Sequence, residues 1–157
     1  MSVSRNVIFK STVFNTTEPK EYFINDCCFG DDLARWLMKE LGARGIQTGE
    51  EPGQEDFGWY FEFKVAGAGY LFVITHRPGD DDLPAYEPLS SVDWMCTIER
   101  DAGLIASLFG ARKRGIALEA VQAIHGVLSS PTIYNIRWYL DKEYDGEGCG
   151  KPEPWQE

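Results

Sequence analysis

Long apolar runs, metal-binding cysteine motifs and basic residues are all scarce in this chain of 157 residues. No stretch approaches the roughly 20 consecutive apolar residues that a helix needs to cross a bilayer, so the sequence predicts no membrane helix. The four cysteines form no C-x-x-C motif, and no zinc site is predicted from them. Residues 1–10 contain no apolar segment typical of a secretory signal, so we expect a cytoplasmic protein with reduced thiols.

Basic residues are outnumbered by acidic ones, with 15 Lys and Arg against 25 Asp and Glu, a formal net charge of −10 and a pI near 4.7. Binding to nucleic acid or to an anionic membrane begins when Lys and Arg neutralise phosphates, so neither partner is predicted. A chain of this charge is steered instead towards a basic protein or a cationic ligand. The alternative is that the charge only keeps the protein in solution.

Motifs that identify a cofactor, a metal or a nucleophile are also absent. Residues 67–69 read Gly-Ala-Gly, but a dinucleotide fingerprint needs a helix directly after it. The acidic clusters at 50–56 and 80–82 lack the spacing of a calcium-binding loop. There is no G-x-S-x-G elbow. We therefore predict no cofactor and no metal, and we interpret both acidic clusters as solvated loops.

The strongest helix pattern covers residues 29–45. Leu33, Leu37 and Leu41 recur every four residues, which is typical of a helix with one face turned to a core. Asp31 or Asp32 is expected to cap the N-terminus of this helix, and Gly45 is expected to end it. A second amphipathic helix is predicted over 116–130 from an apolar stripe that consists of Ile116, Ala120, Ile124 and Val127.

Alternating or β-rich segments predict the strands. They cover residues 3–14, 57–65, 70–77, 92–99 and 132–140, with a short strand or packed loop at 22–24. Consecutive strands flanked by single helices are typical of an α+β fold. The sequence therefore predicts a single antiparallel sheet of about five to six strands with two amphipathic helices packed on one face, in one domain over 1–140. The polar, acidic residues 141–157 are predicted to be a loosely held tail.

Aromatic residues make up 13% of the chain, and alternation places rings on both faces of the predicted sheet. The helices cover one face, so the rings on the other face form either a docking surface for a protein or a second packed layer, for instance in a homodimer or with the C-terminal tail folded across the sheet. A glycine at the start of the 57–65 strand indicates a bulge or a close backbone approach. The predicted binding surface consists of Gly58, Trp59, Tyr60, Glu62, Arg137 and Tyr139.

Two further sets of side chains have the chemistry of a site. A small enzyme with a pocket between sheet and helices would use Asp56 or Glu62 as a base, with His76 or Tyr60 nearby. Cys27–Cys28 lies just before a helix N-terminus, where the dipole lowers a thiol pKa, although free cysteines are more often buried and inert.

A basic run precedes the second predicted helix, whose free N–H groups favour an anion. The run is short and the chain is acidic, so a solvated loop is the alternative. The candidate anion-binding residues are Arg112, Lys113 and Arg114.

The segment GDDLARWLMKELGARG, followed by PGQEDFGWYFEF, resembles a pattern found in small, stand-alone bacterial proteins of uncharacterised function. The resemblance covers about residues 28–75 and continues more loosely through SLFGARKRG and the helix after it. It implies a single acidic domain and brings no catalytic residue with it. In size and charge such proteins resemble immunity proteins, which neutralise toxins.

Charge, surplus rings and missing catalytic motifs together predict a non-enzymatic binding protein with a basic protein partner. An immunity-type inhibitor is one concrete form of this prediction. The alternative is a small enzyme or ligand-binding protein with the pocket described above.

Overall fold

The computed structural model describes residues 2–15, 20–23, 29–55, 58–77, 93–100, 115–140 and 150–156. These residues form an α+β fold with two helices, one antiparallel sheet of seven strands and a separate two-stranded pairing. The α+β class and the antiparallel sheet are confirmed, but the sheet has more strands than the five to six predicted. In chain order the elements are β1 (Ser2–Val3), β2 (Asn6–Lys10), α1 (Asp31–Ala43), β3 (Gln47–Thr48), β4 (Gly53–Glu55), β5 (Gly58–Val65), β6 (Ala68–Arg77), β7 (Asp93–Arg100), α2 (Leu118–Leu128), β8 (Tyr134–Tyr139) and β9 (Trp155–Gln156).

The large sheet has the strand order β3-β5-β6-β7-β2-β8, and β4 also pairs with β5. Each of these pairings is antiparallel. One row of directly paired residues crosses β5, β6, β7, β2 and β8. It consists of Trp59, Ile74, Cys96, Val7 and Trp138. All five side chains are buried, so this row defines the inner face of the sheet.

Both helices pack on the inner face. They contact each other, each contacts β5, and their apolar residues form one cluster with those of the strands. The predicted stripe of α1 is confirmed, since Leu33, Leu37 and Leu41 are fully buried. The stripe of α2 is confirmed at Ala120, Ile124 and Val127, whereas Ile116 precedes the helix, which spans 118–128 and not 116–130, and is only partly buried. In the described ranges, no helix has the length and apolar character needed to cross a membrane.

The start of α1 differs from the prediction. The N-cap residue is Gly30, so neither Asp31 nor Asp32 occupies the cap position. Both carboxylates accept hydrogen bonds from residues that precede the helix, and Asp32 also accepts from the Leu33 N–H of the first turn. The predicted end is confirmed, because α1 stops at Ala43 and Gly45 follows in the left-handed region with φ 81°.

The sheet edge beside β5 is one irregular strand over residues 47–55. β3 and β4 both pair with β5, but in different registers, so residues 49–52 bulge outwards between them. The N–H of Gly49 still donates to the carbonyl oxygen of Glu62 over 2.9 Å. β3 and β4 have only two and three residues and show no alternation of apolar and polar side chains, which is why the sequence pattern gives too low a strand count. The Glu50 and Glu51 part of the predicted loop is this bulge.

β5 and β6 form a hairpin. Its two-residue turn consists of Ala66 and Gly67, with φ values of 53° and 78°. Left-handed geometry at both positions matches the turn type that fits the twist of paired strands. The short strand suggested at 22–24 is absent at Tyr22, which lies in a turn, and residue 24 is outside the described residues.

Residues 150–156, here called the C-terminal segment, are tied to the fold by backbone hydrogen bonds. Trp138 N–H donates to the Lys151 carbonyl over 2.6 Å, and Lys151 N–H returns a bond of 2.9 Å. Ser4 N–H donates to the Pro154 carbonyl over 2.6 Å, and β9 pairs with β1. These residues are thus paired, whereas the sequence predicts a loosely held tail over 141–157. Residues 141–149 and 157 lie outside the described part, and the domain boundary at 140 stays a prediction.

Candidate functional site

The second face of the sheet points away from both helices. Because side chains alternate along a strand, the neighbours of the inner-face row form a second row. It consists of Tyr60, Val73, Thr97, Asn6 and Tyr139. This row spans four strand spacings, about 19 Å, so the two predicted tyrosines lie at opposite ends of the face.

Beside the polar residues Thr97 and Asn6, the second face has four apolar side chains that are only partly buried. Ile8, Leu71, Val73 and Met95 all keep intermediate exposure. Leu71 is directly paired with Glu62 of β5, so a carboxylate borders this apolar strip on the β5 side. The second face therefore offers aliphatic and thioether surface beside negative charge.

A buried polar network fixes the part of the second face around β2. The hydroxyl of Thr97 donates to Oδ1 of Asn6, and Nδ2 of Asn6 donates to the carbonyl oxygen of Tyr139 over 3.3 Å. Asn6 is buried, and both ends of its amide bind neighbouring strands. The network thus ties β7, β2 and β8 together and makes this region a rigid platform.

Exposed carboxylates gather at the β5 side of the sheet. Two lie in the bulge of the edge strand, one ends β4, and one projects from β5. Clustered charges of one sign attract a positively charged partner and raise its association rate. We call this group the acidic edge, and it consists of Glu50, Glu51, Glu55 and Glu62.

Tyr60 joins the acidic edge to the second face. Its ring lies over Gly53 of β4, where a Cβ atom would lie 2.5 Å from the ring carbon Cζ. The missing side chain of Gly53 therefore makes room for the ring. Tyr60 is half-buried, so its position beside Glu62 is fixed by packing.

Two residues of the predicted binding surface lie elsewhere. Trp59 belongs to the inner face and is 4% exposed, because alternation along β5 turns it towards the helices. Gly58 is buried against the backbone of β6 around Ile74. Neither residue offers a side chain to a partner.

The β8 end of the predicted surface is occupied by the chain itself. Tyr139 is 6% exposed, and Arg137 is half-buried. Gly150 packs on both, since a Cβ atom there would lie 2.7 Å from Cζ of Tyr139 and 3.0 Å from Cβ of Arg137. The accessible part of the predicted surface is therefore centred on Tyr60 and Glu62.

The candidate catalytic residues do not form a site in the described residues. Glu62 is exposed on the second face, so it does not line a pocket between sheet and helices. Asp56 and the side chain of His76 lie outside the described part, and the enzyme alternative stays a prediction. Among the side chains that the structure describes, no group of three or more His, Cys, Asp or Glu is placed to hold a metal ion.

The other candidates from the sequence also fall largely outside the described ranges. This applies to Cys27–Cys28 and to the basic run 112–114. Cys96 is described, and its thiol is buried on the inner face. Burial raises the pKa of the Cys96 thiol well above its ordinary value, which makes this cysteine unreactive.

Two carboxylates at the start of α1 hold the preceding chain. Asp31, 4% exposed, accepts a hydrogen bond from the hydroxyl of Tyr22, and this bond together with burial raises the pKa of Tyr22 to about 12. Oδ2 of Asp32 accepts from Asn15 N–H over 2.7 Å, and its Oδ1 accepts from Leu33 N–H over 2.9 Å. Burial nevertheless raises the pKa of Asp32, although these bonds oppose the shift.

His125 of α2 contacts two tryptophans. Nε1–H of Trp138 donates to Nδ1 of His125 over 3.1 Å, and the ring of Trp155 lies edge to face at a centroid distance of 5.5 Å. Burial lowers the pKa of His125, and the charge of Glu153 opposes that shift. His125 is half-buried and packs against both tryptophan rings. Its tryptophan partners depend on tertiary contacts and leave no signal in the sequence.

Comparison with known proteins does not extend this description. No protein-family model, no curated protein and no solved structure matches the chain. The resemblance to small bacterial proteins therefore stays a prediction from the sequence pattern.

Proposed function

We propose that this chain is a non-enzymatic binding protein that engages a basic protein through the acidic edge and the adjoining second face. The observation that carries the proposal is the position of four exposed carboxylates beside a partly exposed apolar strip. Charges of one sign at a rim steer association, whereas apolar and aromatic groups beside them supply contact area. An immunity-type inhibitor of a basic toxin is one concrete form of this function.

The net charge of −10 supports a basic partner. The rigid network around Asn6 supports a preformed surface, because a platform that is already ordered loses little conformational entropy on binding. Tyr60 fits the same function as an aromatic anchor, since its ring is held by Gly53 and keeps intermediate exposure.

Charge-matched double variants test the electrostatic part of the proposal. Proteins captured from the native cell with wild-type chain are identified, and the captured partner is purified. Its affinity is then measured by calorimetry at low and moderate salt. Glu50→Lys with Glu51→Lys is expected to weaken binding about tenfold, or ~1.4 kcal/mol, with a weaker salt dependence because an attraction has been removed.

The control is Glu40→Lys with Glu119→Lys, which changes the net charge equally but alters the helical layer. This control is expected to leave the affinity nearly unchanged. Equal weakening by both double variants would mean that net charge acts without a defined surface. An unchanged affinity in the edge variant would exclude the acidic edge.

Lysine cross-linking tests the position of the partner independently. Lys64 is exposed and lies two residues after Glu62 on β5, so both side chains lie on the second face. Lys39 is exposed on α1. An amine-reactive cross-linker is expected to join the partner to Lys64 and not to Lys39. Cross-links confined to Lys39 would place the partner on the helices and contradict the proposal.

A further inference from the structure

The C-terminal segment is held at a small number of places around α2 and β8. Its backbone meets Trp138 at Lys151, meets Ser4 at Pro154, and pairs with β1 through two residues. Its largest side chain, Trp155, packs on the ring of His125. The segment is therefore a peripheral strap, and His125 is the point at which its side chains meet the helical layer.

The hydrogen bond at His125 specifies the neutral form of the ring. Nδ1 accepts from the indole N–H of Trp138, so in a neutral imidazole the proton lies on Nε2. A proton added to Nδ1 removes this acceptor. Trp138 has no exposed surface, so its N–H would then lie in the core without its present partner, and a charged ring would be half-buried beside it. Both changes cost free energy.

Few charged groups of the described residues face His125 from the surrounding elements. The C-terminal segment brings Glu153, whose charge favours the protonated ring, and Lys151, which pairs with Trp138. From the residue that follows α1, the guanidinium of Arg44 reaches the neighbouring Gly126, where a Cβ atom would lie 2.7 Å from Nη1. On β8 the charged side chain, Arg137, belongs to the second face.

We infer that His125 is a pH-operated latch, whose protonation releases the C-terminal segment from α2 and β8 while the sheet and helices stay folded. Trp138 is fully buried, so its displacement would cost much free energy, whereas Trp155 belongs to the peripheral C-terminal segment. Moving Trp155 away lets water reach the imidazolium and relieves the cost of its burial. The same movement frees the N–H and carbonyl of Trp138 that Lys151 now binds.

The direction of the pH effect follows from the burial of the ring. Burial lowers the pKa of His125 below its ordinary value of 6.5 in the docked state, whereas release restores contact with water. The docked state is therefore favoured fully above pH 6.5. It loses that preference as the pH falls from 6.5 through the lowered pKa, because the released state binds the proton first.

Nuclear magnetic resonance on the full chain tests the latch. Amide exchange, expressed as protection relative to the unstructured rate, is followed at Ser4, Lys151 and Trp138 between pH 8 and pH 5. Ile74 in the core serves as the internal reference. The amides of Ser4, Lys151 and Trp138 are called the seam amides, because they join the C-terminal segment to the rest of the fold. Their protection is expected to fall by about tenfold for each unit by which the pKa of His125 is lowered, with no parallel loss at Ile74.

Two variants assign the titration. His125→Asn keeps an acceptor oxygen near the position of Nδ1 but does not titrate, so its seam amides are expected to stay protected throughout. Glu153→Gln removes the titration of that carboxylate, and release is expected to persist. The inference is overturned if seam protection in the wild-type chain does not change while His125 titrates. It is also overturned if His125→Asn releases the segment as the wild type does, or if Ile74 loses protection together with the seam.

Discussion

Gly58 packs directly on the backbone of Ile74 in the neighbouring strand. A Cβ atom on Gly58 would collide with the carbonyl oxygen of Ile74 and lie 3.2 Å from its carbonyl carbon. The φ angle of Gly58 is 148°, a region that residues with a side chain rarely adopt. This glycine therefore allows β5 to enter the sheet in register with β6.

Gly58→Ala is expected to lower the free energy of unfolding by about 3 kcal/mol or more. Strain at such a φ costs of order 1–3 kcal/mol, and overpacking against the backbone adds a similar amount. Chemical denaturation monitored by tryptophan fluorescence measures this change. A loss below about 1 kcal/mol would show that β5 shifts without penalty.

Two other glycines separate the sources of that cost. Gly67 has φ 78° with open space around it, so Gly67→Ala is expected to cost about 1–2 kcal/mol from backbone strain alone. Gly42 lies in α1 with open space and an ordinary φ, and Gly42→Ala is expected to stabilise the chain by about 0.5–1 kcal/mol. If Gly67→Ala and Gly58→Ala cost the same free energy, the collision of a Gly58 Cβ atom with the Ile74 carbonyl would not contribute to the cost.

Asp32→Asn is expected to become more stable relative to the wild type as the pH rises. The raised pKa of Asp32 means that the folded state favours the protonated carboxyl. The stability that protonation provides is complete below the unfolded pKa of 3.8 and is lost as the pH rises through the folded pKa. Asn keeps an acceptor for the Asn15 N–H without the charge, so the stability of the variant relative to the wild type is expected to increase as the pH rises from 3.8 through the raised pKa of Asp32.

Unfolding curves at several pH values measure this gain, and Asp32→Ala is the control. Alanine removes the acceptor and leaves the Asn15 and Leu33 N–H groups without it, which is expected to cost about 1–2 kcal/mol. If Asp32→Asn and Asp32→Ala are equally destabilised at all pH values, the carboxylate charge is not the unfavourable term.

Asp31→Asn is expected to move the pKa of Tyr22 from about 12 towards 10. The largest cause of the raised value is the hydrogen bond to the Asp31 carboxylate, and the charge of Asp31 adds to it. Tyr22 is 57% exposed, so its titration is readily followed by the carbon resonance next to the hydroxyl. Asp32→Asn is the matched control and is expected to change the Tyr22 pKa much less. An unchanged value in Asp31→Asn would contradict the assigned bond.

Trp138→Phe is expected to raise the pKa of His125 while lowering stability. The indole N–H stabilises the neutral imidazole, so its removal favours the protonated form. The lost bond and the smaller ring at a fully buried position are expected to cost about 1–3 kcal/mol. A titration of the His125 ring protons gives the pKa. Trp155→Phe keeps a ring without touching the hydrogen bond, and a larger pKa change there than in Trp138→Phe would contradict this account.

The helices and the central strands are predictable from sequence because their buried side chains recur at the regular spacing of a helix or a strand. Leu33, Leu37 and Leu41 mark the buried stripe of α1, and alternation from Trp59 to Phe63 marks the inner face of β5. A single register error would move a whole set of side chains to the other face. The spacing of apolar residues is therefore strongly constrained, and it can be recognised in the sequence.

Other features depend on contacts between distant parts of the chain. β3 and β4 pair mainly through backbone groups, which leave no side-chain pattern. The sequence pattern places Tyr60 and Tyr139 on the same face, but they lie at opposite ends of it, because strand order cannot be predicted from local sequence. The meeting of His125 with Trp138 and Trp155 likewise requires the tertiary fold.

The pairing of β1 with β9 joins residues that are far apart in the order of synthesis. Val3 and Trp155 are roughly 150 residues apart, so a ribosome that adds about 5 to 20 residues per second makes the second roughly 8 to 30 s after the first. During that interval the backbone of β1 lacks its partner strand β9, and the Ser4 N–H lacks the Pro154 carbonyl. The nascent chain thus carries an open seam, and closing it is a late event of folding that a chaperone or a second nascent chain has time to intercept.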